Sequence, residues 1–173
     1  MNLYTIGHSV HPIDKFIDLL KAHGVTRLVD VRSKPYSRFN PQFNKKALQH
    51  SLLDNGIEYT YLGDSLGGRP GDPSCYIHGT LPAKSSDYIQ LVDYPAVMRR
   101  QWFVEGITTL LALAGQQTTC ILCSEKDPLR CHRHHLIAVY LLEHNPDFTI
   151  WHILADSSLI NAGSIATREA KSN

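Results

Sequence analysis

The segment from Thr119 to Arg133 gathers three of the four cysteines with Glu125, Asp127, Arg130, His132 and Arg133. A thiolate is a nucleophile, and nearby cations or helix amides lower a thiol pKa. Cys123 and Cys131 are therefore candidate catalytic thiols. The competing reading of Cys123 is a small buried residue at a strand end. Cys120 and Cys123 form a C-x-x-C pair in letters only, because strand positions three apart face opposite sides. Cys131, His132 and His8 offer sulfur and imidazole of the kind zinc takes. Only one close pair is present, so no metal is assigned. His8 and Glu125 are candidates for moving protons, and Glu125 is equally suited to pair with Arg32, Arg38 or Arg133. Those three arginines could hold a phosphate or carboxylate bidentately. Their alternative is a set of ion pairs with Asp30, Glu125 and Asp127. Asp30 lies in an apolar strand and needs a partner there, so a structural arginine bridge is expected. His134 and His135 read as surface positions.

These residues need elements to position them. Cys120 to Cys123 is short and apolar, as a strand buried on both faces is. Ser124 to Lys126 is a polar turn. Asp127 followed by Pro128 is a helix start, and Leu129, Leu136, Ile137 and Tyr140 extend that helix to about Glu143. Cys123 then stands at the carboxyl end of a strand, with Cys131, His132 and Arg133 in the opening turns of a helix. Further strands are expected at Leu3–Ile6, Arg27–Val31, Ile57–Leu62 and Thr149–Leu154. Helices are expected after Pro12 (closed by Gly24), over 45–54 and over 95–114. Residues 63–94 hold Gly, Pro, Cys75 and His78 with little periodicity, which suggests a loop or lid. Alternating strands and helices predict a three-layer α/β fold, Rossmann-like, with a mostly parallel sheet of about five strands. One domain spans 1–155, and 156–173 is a polar, frayed tail. Right-handed crossovers bring four clusters to the carboxyl edge of the sheet. They are His8-Ser9, Arg32 with Ser37-Arg38, Gly67-Gly68-Arg69, and Cys123 to Arg133. Ser9, Arg32, Ser37, Arg38, Gly67, Gly68, His132 and Arg133 are the candidate ligand-binding residues.

The chain has 173 residues with 43% hydrophobic and 19% charged, the composition of an ordinary globular domain. Seventeen basic against sixteen acidic residues leave a formal charge of +1, so no global field draws it to nucleic acid or membrane. Ten histidines make that charge sensitive to mild acid. The opening residues lack a signal core, and no apolar run approaches the ~20 residues of a membrane span. Together with the few cysteines, this predicts a reduced, cytoplasmic protein. One local patch departs from the neutral average. Tyr36, Phe39 and Phe43 lie among Arg32, Lys34, Arg38, Lys45 and Lys46, a pattern suited to single-stranded nucleic acid. The partner expected first is a small anion, phosphate or nucleotide-like. A nucleotide or nucleic-acid binding module without catalysis is the alternative, and a Cys/His metal site is a third. The residues specify no cofactor and no oligomeric state.

Several of these clusters together resemble a known family. Thr5-Ile-Gly-His-Ser9, Leu28-Val-Asp-Val-Arg32, Ser37-Arg38, Tyr61-Leu62 with Leu66-Gly-Gly68, Leu122-Cys-Ser-Glu125 and Cys131-His-Arg133 are similar to the family catalogued as domain of unknown function 488. The resemblance covers about residues 3–154 and implies a compact α/β domain with a polar site and no established reaction. A weaker resemblance is to rhodanese-type and thiol-phosphatase domains, through Leu28 to Arg32 and the position of Cys123. Here six residues separate Cys123 from Arg130, with Glu125, Asp127 and Pro128 among them. Two acids and a missing amide suit an anion cradle poorly.

Overall fold

A computed structural model describes residues 1–83 and 87–165. The strands are β1 (Asn2–Gly7), β2 (Arg27–Asp30), β3 (Glu58–Tyr61), β4 (Thr119–Cys123), β5 (Thr149–Ile153) and β6 (Leu159–Asn161). They form one sheet in the order β3-β2-β4-β1-β5-β6. The first five run parallel, and β6 is antiparallel to β5. Every residue of β2 and β4 is buried, which is why these strands read as unbroken apolar runs. β3 lies at the edge and is held partly by charge, since Arg27 stands opposite Glu58 and donates to its carboxylate at 2.5 Å.

Side chains alternate across this sheet into two cores. On one face, Ile6, Leu28, Cys120, Leu122 and Ile153 pack against Phe16, Leu20, Leu48 and Leu52. Those partners come from α1 (Ile13–Ala22) and α2 (Lys45–Asp54). On the other face, Leu3, Val29, Val31, Ile121 and Ile150 meet Phe103, Ile107, Leu110, Leu136 and Leu141. Cys120 therefore faces the α1–α2 layer, and Cys123 the opposite one.

The expected parallel sheet of about five strands is present, with a sixth strand, β6, in the segment expected to fray, after a turn in which Ser157 adopts φ 70°. Residues 162–165 are helical, and the rest of the tail lies outside the described residues. The helix expected over 95–114 is two, α5 (Tyr94–Met98) and α6 (Gln101–Ala114). At the break, Arg100 leaves helical geometry and reaches Ser74 and Asp72 instead. Segment 63–94 contains α3 (Gly63–Leu66), a 3₁₀ turn at Pro73–Cys75 and α4 (Tyr88–Leu91). Cys75, Tyr76 and Val92 anchor it in the core, and Tyr76 bridges to Val92.

The largest departure follows β4. The helix expected from Pro128 to about Glu143 is a 3₁₀ turn (Pro128–Arg130), an extended Cys131 at φ −145° and ψ 140°, a π-helix (Arg133–Ala138) and α7 (Val139–His144). The wide π turn lets Arg133, His134, Leu136, Ile137 and Ala138 all be buried. Leu129 is correspondingly exposed instead of joining the core. His134 is buried, not on the surface, and shares a hydrogen bond with His152. Among the described residues no helix is long and apolar enough to cross a membrane.

Candidate functional site

β2 and β4 are neighbours at the centre of the sheet, and a cleft of about 550 Å³ opens over their carboxyl ends. Open parallel sheets bind ligands at this edge. Arg32, Ser33, Lys34 and Tyr36 line it after β2, and Cys123, Ser124 and Glu125 after β4. Arg130, Cys131 and His132 complete that side, while Gly68, Arg69, Asp87, Tyr88, Ile89 and Tyr94 form the opposite wall. Arg32 is matched by Asp30, so Lys34, Arg69 and Arg130 stand against Asp87 and Glu125, and the cleft keeps a small positive excess. A larger cavity of about 930 Å³ beside β5 and β6 is lined largely by Leu129, Leu154, Leu159, Ile160 and Ile165, and no thiol or imidazole reaches it.

The floor of the cleft is a Cys–His–Cys cluster. Cys123 Sγ lies 3.5 Å from His132 Nδ1, and Cys131 Sγ lies 3.9 Å from the same atom. His132 Nε2 donates to the Val31 carbonyl at 3.1 Å. That bond fixes the ring and turns Nδ1 toward both sulfurs. Gly68 makes room for it, since a Cβ there would stand 2.6 Å from the imidazole.

The protons follow from this geometry. A hydrogen bond from the Cys131 thiol, then the charges of His132 and Arg133, hold the Cys123 thiol well below its usual range despite burial. Burial and the Cys123 sulfur push the Cys131 thiol up, so it stays protonated and donates. Burial alone would lower His132, but the Cys123 charge and the Val31 carbonyl raise it. The arrangement favours a thiolate–imidazolium pair with a second thiol beside it. Burial, then the two thiols, raises the Tyr94 phenol, which remains a donor at the cleft wall.

The loop after Cys123 is tied down at four consecutive carbonyls. His8 N–H and Ser9 N–H donate to the Cys123 and Ser124 carbonyls, each at 3.0 Å. Arg133 donates Nη1 to the Glu125 carbonyl and Nη2 to the Lys126 carbonyl. Arg133 is fully buried and both its terminal nitrogens are engaged, so it clamps the loop and is not positioned to grip a ligand. Its charge still reaches Cys123.

Other candidates fall in different places. Asp30 takes Nε and Nη2 of Arg32 at 2.9 and 2.6 Å and the Tyr59 hydroxyl at 2.9 Å, a buried bridge of the expected kind. Arg32 Nη2 also reaches the Phe43 carbonyl, which leaves Nη1 as a buried donor with no partner among the described residues. His8 is buried and stacks on Phe43 at 4.4 Å, with Nδ1 on the Ser9 carbonyl. Burial lowers its pKa, so it is neutral at pH 7 and lies outside the thiol cluster. Ser9, at φ 49°, serves the loop through its amide. Ser37 organises the turn before Asn44, and Arg38 lies 6.0 Å over the exposed Phe39 ring; neither lines the cleft. Gly67 is buried against Ser33 beneath the wall. The Glu125 carboxylate lines the cleft and pairs with none of Arg32, Arg38 or Arg133. Of the aromatic–basic patch, Phe43 is a core residue, while Tyr36 and Phe39 are 69% and 87% exposed.

Cys123 Sγ, Cys131 Sγ and His132 Nδ1 lie within 4.8 Å of one another. Two sulfurs and one imidazole, with the other ring nitrogen on a carbonyl, also form a set that could hold a zinc ion with a position left open. The third member is Cys123, where the residue types alone suggested His8.

A family model described as "Domain of unknown function DUF488" matches residues 12–140. No curated protein and no solved structure matches the chain.

Proposed function

The chain belongs to the family of domain of unknown function DUF488, and from its site we propose a cysteine-dependent enzyme acting on an anionic small molecule, phosphorylated or nucleotide-like. One observation carries the reading. His132, fixed by Val31, presents Nδ1 to Cys123 Sγ at 3.5 Å on the floor of a cleft. A nucleophile, a base and a third group orienting that base make up an activated thiol. His132 takes the Cys123 proton, and the imidazolium is the acid that can return it to a leaving group. Cys131 donates to the thiolate and keeps it in place. Lys34, Arg69 and Arg130 line the cleft and supply charge for the anion. Tyr36 offers an exposed face on which a base could stack, while the Tyr88 ring already carries Arg69 and the Tyr94 ring His135.

The test compares two alkylating agents of similar size, anionic iodoacetate and neutral iodoacetamide, at low salt. Cys123 is expected to react preferentially with iodoacetate relative to a free thiol. Arg69→Gln with Arg130→Gln should abolish that preference while leaving the iodoacetamide rate within about twofold, since exposed charges screen readily. An iodoacetamide rate like the free thiol's, with no anion preference, would contradict the proposal.

A second reading rests on the same three atoms as a metal site. Zinc retained at one equivalent in purified protein, with Cys123 unreactive until chelation, would favour it.

A further inference from the structure

Cys131 is more than a thiolate requires. A hydroxyl could donate the same hydrogen bond, yet a second sulfur stands within 4.8 Å of the Cys123 sulfur. Both are buried, at 5% and 2% exposure, and no disulfide joins them. The segment between them is held at its start, at the carbonyls of 123 to 126, and is little structured beyond them. Ser124 to Asp127, Leu129 and Arg130 are exposed, and the segment's only regular structure is one 3₁₀ turn. Cys131 itself is extended, at the break between that turn and the π-helix. Closing the sulfurs to the bonded distance of about 2.05 Å needs a shift of this short loop, without disturbing β4. The other two cysteines do not compete: Cys120 faces the opposite core, and Cys75 lies in the α6-side core under segment 63–94.

We propose that Cys123 and Cys131 form a dithiol–disulfide couple that reduces a hydroperoxide. The proposal rests on the reading of Cys123 as a reactive thiolate and adds a substrate class and a role for Cys131. The Cys123 thiolate attacks one peroxide oxygen; the S–O bond forms, the O–O bond breaks, and the departing alkoxide or hydroxide takes the proton held on His132. Cys123 is then a sulfenic acid and His132 neutral. The Cys131 sulfur attacks the Cys123 sulfur; the S–S bond forms, the S–O bond breaks, and hydroxide leaves with the Cys131 proton as water. Two thiols lose two electrons, and the hydroperoxide becomes an alcohol, or water, plus water. A dithiol reductant restores the pair.

The experiment treats reduced, metal-free protein with one to a few equivalents of hydrogen peroxide, then alkylates it under denaturing conditions and maps the peptides. We expect two of the four thiols to be lost together, in a Cys123–Cys131 cross-linked peptide reversed by dithiothreitol, with Cys75 and Cys120 still alkylated. Cys131→Ser should instead accumulate a sulfenic acid on Cys123 that dimedone traps, and Cys123→Ser should consume no peroxide. If peroxide leaves all four thiols free, or drives Cys123 to sulfinic acid equally in wild type and Cys131→Ser, the couple is wrong. Iodoacetamide separates that failure from the larger one: a Cys123 that alkylates fast but forms no disulfide keeps its thiolate reading, and one inert to both reagents loses both.

Discussion

Gly68 has no side chain, and His132 uses the space. A methyl group there would meet the ring at 2.6 Å. Gly68→Ala is therefore predicted to displace His132 from Cys123 while the sheet stays intact, at a cost of about 1–3 kcal/mol for overpacking. Iodoacetamide reactivity of Cys123 at pH 7 should fall about tenfold, equivalent to one pKa unit. An unchanged rate in a folded variant would show that His132 is not what activates the thiol. Residue types made much of this site legible. Cys123, Cys131 and His132 stand together, and Asp30 takes Arg32 as a buried carboxylate must. Direction was not legible. Arg133 has the chemistry of an anion ligand, but the π turn aims it at two carbonyls. Ser33, Tyr88 and Tyr94 reach the cleft from stretches whose spacing carries no signal of where they point.

At the scale of elements, the π-helix is the unusual piece. π turns are rare and recur at functional sites. This one buries Arg133 under the loop and His134 against the sheet, and His152 ties it down. His152 shares Nδ1 with the Thr5 hydroxyl at 2.7 Å and Nε2 with His134 Nδ1 at 3.1 Å, linking β1, β5 and the π-helix. Burial, with His134 and Arg133 adding, pulls the His152 pKa to about 3 from its ordinary 6.5. Between those values the unfolded chain binds a proton that the folded chain excludes. The stability this gives is complete above pH 6.5 and is lost as pH falls toward 3. Urea unfolding at pH 7 and pH 4.5 should show wild type losing on the order of 2 kcal/mol more than His152→Asn. Equal losses would mean that His152 is not excluded from protonation. Spacing at Leu129, Leu136, Ile137 and Tyr140 fits an α-helix well enough to hide the extended Cys131 and the π turn. Only tertiary demands, two thiols to meet and an arginine to bury, select the broken path.

For the whole molecule, alternation of apolar runs with amphipathic stretches made the parallel α/β sheet and its two cores legible before any geometry. β6 escaped because it is three residues long, half-buried and flanked by polar turns. The convergence of β-strand ends on one edge was a matter of topology, and it located the cleft. Segment 63–94 gave no regular pattern because its pieces are single turns held by tertiary contacts at Tyr76 and Val92. The fold places a locally positive cleft on a nearly neutral chain, with a net charge of +1. On the proposed function, an anion would be drawn to that edge by its local charge and not by the charge of the whole chain.

The proposed enzyme requires that His132 and Cys131 keep Cys123 a thiolate near neutral pH. The rate of Cys123 alkylation by iodoacetamide against pH, read by peptide mass spectrometry in metal-free wild type and His132→Gln, tests this most directly. The wild-type midpoint should lie well below the ordinary thiol value of about 8.5, and His132→Gln, which cannot carry the charge, should move it upward. A wild-type midpoint at or above 8.5 that the substitution leaves in place would contradict the account.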